Sequence, residues 1–212
     1  MADVRKNFDF RHYSNSQELV SFNSLTRQLQ LICSVANKTQ QQYDKVISAC
    51  REIFQRKTHD YGTSWRVLRP KSLTDQIFIK AKRIKTIEEK GVQQVSDGIG
   101  EEFMGIINYG IIALIQLELG EGDNLSEEKA LQLYDKHIGE TQKLMLAKNH
   151  DYGEAWREMR SSSFTDMALM KLMRLKQIED NNGKTLISEG PESHYKDIIN
   201  YSVFALIQLS EN

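Results

Sequence analysis

At 212 residues, with 40% hydrophobic and 27% charged side chains, the chain has the composition of a folded globular protein of one large domain or two small ones. A formal net charge of −1 excludes a bulk electrostatic trap for duplex nucleic acid. Two prolines argue against a many-turned β protein, and two cysteines, Cys33 and Cys50, form no CxxC pair, so a reduced, buried role is expected rather than a disulfide scaffold.

In chain order, the first thirteen residues carry no apolar signal core. Ser16 to Val35 reads as one helix in an N-terminal extension covering residues 1–38. A second helix is expected to start at Thr39, where Gln42 completes a capping-box pattern, and to end near Asp60 with Gly62 as its left-handed cap. The next runs from Ser72, with Asp75 in its first turn, to just before Gly91, and a fourth from Gly100 to Leu119, stopped by Gly120. Gly120 to Asn124 reads as a linker. Further starts are expected at Ser126 and Ser163, and a last helix after Pro191. The apolar runs Ile106–Leu117 and Ile198–Leu209 are short for a bilayer span and contain Asn, Gln and Tyr, so a cytoplasmic protein without a membrane partner is expected.

Shifting the sequence by 91 residues lays it on itself. Residues 43–91 match 134–182 at 20 of 49 positions without a gap. Lys57-Thr-His-Asp-Tyr-Gly pairs with Lys148-Asn-His-Asp-Tyr-Gly, and Trp65-Arg66 with Trp156-Arg157. One inserted residue later, Ile106-Ile-Asn-Tyr109 pairs with Ile198-Ile-Asn-Tyr201. The expected fold is therefore an all-α helical bundle of two tandem repeats, residues 39–120 and 126–212, packed as one body. Two copies suggest a pseudo-two-fold pair, a covalent version of a homodimer, and pairing of whole chains stays open. The last helix of each repeat is apolar on nearly every face and is placed against its counterpart at the centre.

Several residues ask for more than a scaffold explains. Asp60 and Asp151 stand at helix C-termini, where a carboxylate faces the negative end of the dipole; they are either surface partners of His59 and His150 or acids aimed at a ligand. Lys80 and Lys171 fall on the apolar stripe of their helix, with Arg83 and Arg174 beside them, and need an anion that is either a protein carboxylate or a phosphate. Asn108 and Asn200 interrupt apolar helices and must be satisfied by a helix–helix hydrogen bond or a ligand. Trp65 and Trp156 suit either a core or a base-stacking role. Between Arg51 and Lys90 eleven Lys/Arg face five Asp/Glu, a basic stretch that is either a solvated surface or an anion-facing one.

Lys-x-His-Asp-Tyr-Gly-x-x-Trp, followed by Lys-x-x-Arg and Asp-x-x-Asn-Tyr, resembles the nucleotide modification associated domain type 1 family, over both repeats. The resemblance implies an all-α domain connected with nucleotide or DNA-base modification, and its helical make-up is similar to the all-α nucleoside triphosphate pyrophosphohydrolases, which hold Mg²⁺ on carboxylates. Carried over, it implies Asp60, Asp151 and Asp197 as catalytic acids, with Glu101 or Glu192 beside them. Lys80, Arg83, Lys171, Arg174, Tyr61, Tyr152, Trp65, Trp156, Asn108 and Asn200 would hold a nucleotide or other phosphate-bearing small molecule. Two departures stand out. Gly105 lies where the pattern has Asp, which points away from catalysis in the first repeat, and the paired Glu-x-x-Glu and Glu-x-x-Asp motifs of the pyrophosphohydrolases have no counterpart. The competing expectation is a non-catalytic helical module that dimerises or binds a partner, its cations and acids pairing with each other.

Overall fold

The computed structural model describes residues 16–181, 183–184 and 189–211, with side chains from residue 38 onward. The signal reading over residues 1–13 and the Cys33 side chain lie outside what is described. Among the described residues six α-helices follow in order: α1 Ser16–Tyr61, α2 Pro70–Lys90, α3 Ile99–Leu119, α4 Glu127–Tyr152, α5 Ser161–Asp180 and α6 Pro191–Glu211. One-turn 3₁₀ segments, Ser64–Val67 and Ala155–Glu158, link α1 to α2 and α4 to α5. There is no strand among the described residues. The chain divides into two compact units, Met1–Thr39 and Gln40–Asn212. The first contributes helix from Ser16; everything below concerns the second.

Three helix starts differ from expectation. Thr39 and Gln42 cap nothing, because α1 passes straight through them. No glycine or proline lies between Ser16 and Tyr61, so a capping pattern meets a sequence with no reason to break. The helix α2 begins at Pro70 rather than Ser72, and α5 at Ser161 rather than Ser163. A proline at the first helical position loses no hydrogen bond, which moves the α2 boundary forward. Ser126 does cap α4, its side chain accepting from the Lys129 amide at 3.2 Å. Gly62, Gly91, Gly120 and Gly153 end their helices with φ between 59° and 70°, the left-handed region that glycine enters freely.

α3 and α6 cross at the centre, as their all-round apolar faces require. They run antiparallel, with Gly110 against Ile199 and Gly100 against Leu206. Gly110 is required there: a β-carbon on it would lie 2.8 Å from Ile199 Cγ1. At 21 residues α3 is long and apolar enough to cross a bilayer by length and composition, and in this fold it is buried at most positions from Phe103 to Gln116.

α2 and α5 also lie antiparallel, and their contacts are duplicated about a pseudo-two-fold axis. Thr74 donates to Glu179 at 2.6 Å and Thr165 to Glu88 at 3.0 Å. Lys176 meets Asp75 at 2.6 Å and Lys85 meets Asp166 at 2.8 Å. Gln116 and Gln208 each donate back to carbonyls of the 3₁₀ segment in their own repeat, Gln116 to Arg66 and Leu68, Gln208 to Trp156 and Met159. Matching interactions at matching positions make the duplicated sequence a duplicated structure.

Candidate functional site

The conserved spacing of the two motifs becomes geometry where α1, α2 and α3 meet, and again where α4, α5 and α6 meet. The asparagines are the hinge of both arrangements. Asn108 accepts from Tyr134 of the other repeat at 2.9 Å and donates to the Cys50 carbonyl at 3.0 Å. Asn200 accepts from Tyr43 at 2.9 Å and donates to the Thr141 carbonyl at 3.3 Å. Each of these two helices thus has an asparagine that accepts a tyrosine hydroxyl from the other repeat, which answers the cost of placing an amide on an apolar helix. Burial raises the Tyr43 and Tyr134 hydroxyls well above the ordinary tyrosine value, so both stay protonated donors, and it pushes the free, buried Cys50 thiol up to about 12.

In the second repeat the lysines have a protein partner. Asp197, 3% exposed, receives Lys148 Nζ on one carboxylate oxygen at 2.6 Å and Lys171 Nζ on the other at 2.5 Å. Burial alone drives its carboxyl upward, but the hydrogen bonds from the two ammonium groups outweigh burial and hold it below the ordinary aspartate value. One turn before it, His194 is buried, with neither ring nitrogen hydrogen-bonded among the described residues, and burial followed by the nearby Lys171 charge lowers its pKa. Burial, followed by the Asp197 charge, pushes Tyr201 up to about 12. Arg174 is exposed.

The first repeat handles the same lysines differently. Its counterpart of Asp197 is Gly105, and its acid has moved one turn back to Glu102, the position His194 fills in the second repeat. Glu102, 7% exposed, takes Lys80 at 3.1 Å and Arg83 at 2.5 Å; Arg83 also donates to the Asp97 carbonyl at 2.7 Å. The Lys80 stem lies across Gly105, where a β-carbon would be 2.8 Å from its Cε. Lys57, the counterpart of Lys148, has neither an ion-pair nor a hydrogen-bond partner among the described residues.

Around Lys57, Lys80 and Gly105 lies a cavity of about 450 Å³. Its apolar wall is Ile53, Phe54, Met104 and Ile112, its aromatic rim Tyr61, Trp65 and Tyr109, and its acidic edge Asp97, Glu101 and Glu102. Trp65 Nε1 is buried with no hydrogen-bond partner. Volume, apolar walls and a few convergent polar groups are what a small-molecule site has.

Three features of the sequence reading need restating. The three aspartates do not converge. Lys57 and Tyr61 of α1 line the cavity, whereas Asp60 lines a separate shallow depression with Glu52, Arg56, His59 and Glu127. Asp151 is exposed and contacts His150 at 3.1 Å, whereas Asp197 is buried. Trp156 is a core residue, stacked on Phe204 at 4.3 Å and covered by Arg157, whereas its counterpart Trp65 is only partly buried and borders the cavity. Gly105, read as a lost acid, lines the first repeat's cavity. Lys57 and Glu102 were not singled out as site residues. Lys57 stood in the motif but on an exposed helix face, and Glu102 sits where the two repeats no longer match.

The class these features define is a duplicated all-α domain whose second copy neutralises its own cations and whose first keeps a cation-bearing cavity. The family model for nucleotide modification associated domain 1 matches residues 57–117 and 148–209, both repeats and more than half of the chain, so the protein belongs to that family. No curated protein matches the chain, and no solved structure does.

Proposed function

We propose that the protein binds a nucleotide in the first-repeat cavity, with its phosphates against Lys57 and Lys80 and its base against Trp65, Tyr61 and Tyr109. The observation that carries this reading is the cavity itself: two lysines, one of them unpaired, lining a space of about 450 Å³ that has an apolar wall and an aromatic rim. Ammonium groups give charge-assisted hydrogen bonds to phosphate oxygens, and aromatic faces accept any base.

The acids at the cavity edge bear on Mg²⁺. Among the described residues no three His, Cys, Asp or Glu groups cluster closely enough to cage a metal. Magnesium seldom uses such a cage; it keeps waters and takes one or two carboxylates together with substrate phosphates. Glu102 is engaged by Lys80 and Arg83, so Asp97 and Glu101 are the carboxylates of this chain that would hold the ion, which would supply charge neutralisation at the phosphates. The chain's own part is to bind and orient: Lys57 and Lys80 take non-bridging oxygens, and the apolar wall excludes water from the base.

The rival reading, a non-catalytic scaffold, draws on one specific observation, the closed Lys148–Asp197–Lys171 triad. Lys57→Ala separates the two. Lys57 is exposed and unpartnered, so a scaffold predicts no change in any property. The nucleotide reading predicts an unchanged Tm with no ligand and the loss of the Tm rise that one or more members of a panel of nucleoside mono-, di- and triphosphates with Mg²⁺ produce in the wild type. A wild type that no nucleotide stabilises ends the nucleotide reading.

A further inference from the structure

Asp197 occupies in one repeat the place that is side-chain-free in the other. Its two oxygens are held by two lysines, one from the helix before the motif glycine and one from the helix after it. The same two lysines, Lys57 and Lys80, line the first-repeat cavity together with Gly105, and there the Asp197 position carries no carboxylate, the α3 acids Glu101 and Glu102 standing one turn earlier. The chain therefore displays one recognition element in two states.

We infer that Asp197 is a tethered stand-in for the ligand's anionic group: the second repeat is occupied by its own side chain, and the first binds a phosphoryl group at the position the Asp197 carboxylate takes. This rests on the nucleotide reading for the choice of phosphoryl over carboxylate. The carboxylate and two non-bridging phosphoryl oxygens offer the same pair of acceptors to two ammonium donors. Lys80 leans on Glu102 only through the far end of a flexible side chain, and it shares that carboxylate with Arg83. Turning Lys80 to an incoming anion leaves Glu102 still paired. The second repeat carries His194 at the Glu102 position, so Lys171 has no such alternative and stays on Asp197.

The test uses the full chain and inorganic pyrophosphate, read by calorimetry and by Tm, with malonate as a dicarboxylate control. Wild type is expected to bind pyrophosphate at a single site per chain, and malonate weakly or not at all. Gly105→Asp is expected to weaken pyrophosphate at least about tenfold while its ligand-free Tm holds or rises, because the new carboxylate completes the second repeat's triad in the first. Lys57→Met, at an exposed position, is expected to weaken it similarly and guards against misfolding of the first variant. Asp197→Gly is expected to lose Tm and to regain it with pyrophosphate. Undiminished pyrophosphate binding by a folded Gly105→Asp, two sites in the wild type, or tighter malonate than pyrophosphate overturns the inference. Pyrophosphate bound and lost as described, with no nucleotide bound, leaves the inference standing and removes the nucleotide reading. A wild type that binds neither removes both.

Discussion

Asp197 and Gly105 hold equivalent positions under opposite conditions, and residue-scale predictions follow from that difference. Lys171 is nearly enclosed and Asp197 more so, so deleting the carboxylate leaves a buried ammonium without its partner. Asp197→Ala is expected to cost roughly 3–5 kcal/mol in denaturant unfolding, the usual penalty for breaking a buried pair from one side. The pH dependence has a definite sign. Because the Asp197 carboxyl is held below its ordinary value, its contribution is present above the unfolded aspartate pKa and fades as pH falls through the folded one, below about pH 4. Asp197→Asn should therefore flatten the acid limb of the stability curve; an unchanged acid limb would show that the two lysines do not bear on it.

Glu88 and Glu179 behave in the opposite sense. Burial raises both carboxyls, and the hydrogen bonds from Thr165 and Thr74 offset it only in part. A raised acid favours the folded state when protonated, so its stabilising share is full below the unfolded glutamate value and is lost as pH rises through the folded one. Glu88→Gln with Glu179→Gln is expected to raise Tm at pH 7, the gain shrinking towards about pH 4, where the native carboxyls protonate as well.

At the scale of elements, the crossing of α3 on α6 and the exchange of tyrosine hydroxyls between repeats set the frame that holds the site. Gly110→Val places atoms where Ile199 already sits and is expected to destabilise by about 1–3 kcal/mol, the range for overpacking a tight core. Tyr43→Phe and Tyr134→Phe each leave an asparagine oxygen without its donor, at an expected cost of about 1–3 kcal/mol apiece. The two costs should be similar, since the bonds are pseudo-symmetric, and a markedly unequal pair in chemical denaturation would contradict the symmetry. The Tyr134→Phe partner, Asn108, borders the first-repeat cavity, so that variant should also weaken ligand binding more than Tyr43→Phe does.

For the whole molecule, duplication was legible in the sequence because twenty identities at a fixed spacing survive in it, and the all-α class because breakers are few and the last helix of each repeat is apolar on nearly every face. Helix starts at Thr39, Ser72 and Ser163 were not legible: a capping pattern is local, whereas continuation of α1 and the proline at the head of α2 decide those boundaries. The motif located the site's lysines and its tryptophan but not its division of labour. Whether Lys80 meets a protein acid depends on Glu102, one turn from the expected place, and whether Asp60 joins Lys57 depends on a fraction of a helical turn that spacing alone does not resolve. Family membership covers both repeats, and the structural inequality between them is why the proposed ligand is placed in the first.

The central claim is that an anion from outside the chain sits over Gly105 between Lys57 and Lys80. A crystal structure of the full chain grown with a non-hydrolysable nucleoside triphosphate and Mg²⁺ measures this directly. The account predicts phosphate density within hydrogen-bonding reach of both ammonium groups, in the place the Asp197 carboxylate holds in the other repeat. Phosphate density elsewhere on the molecule, or Lys80 still on Glu102 beside a cavity filled only by water, contradicts it.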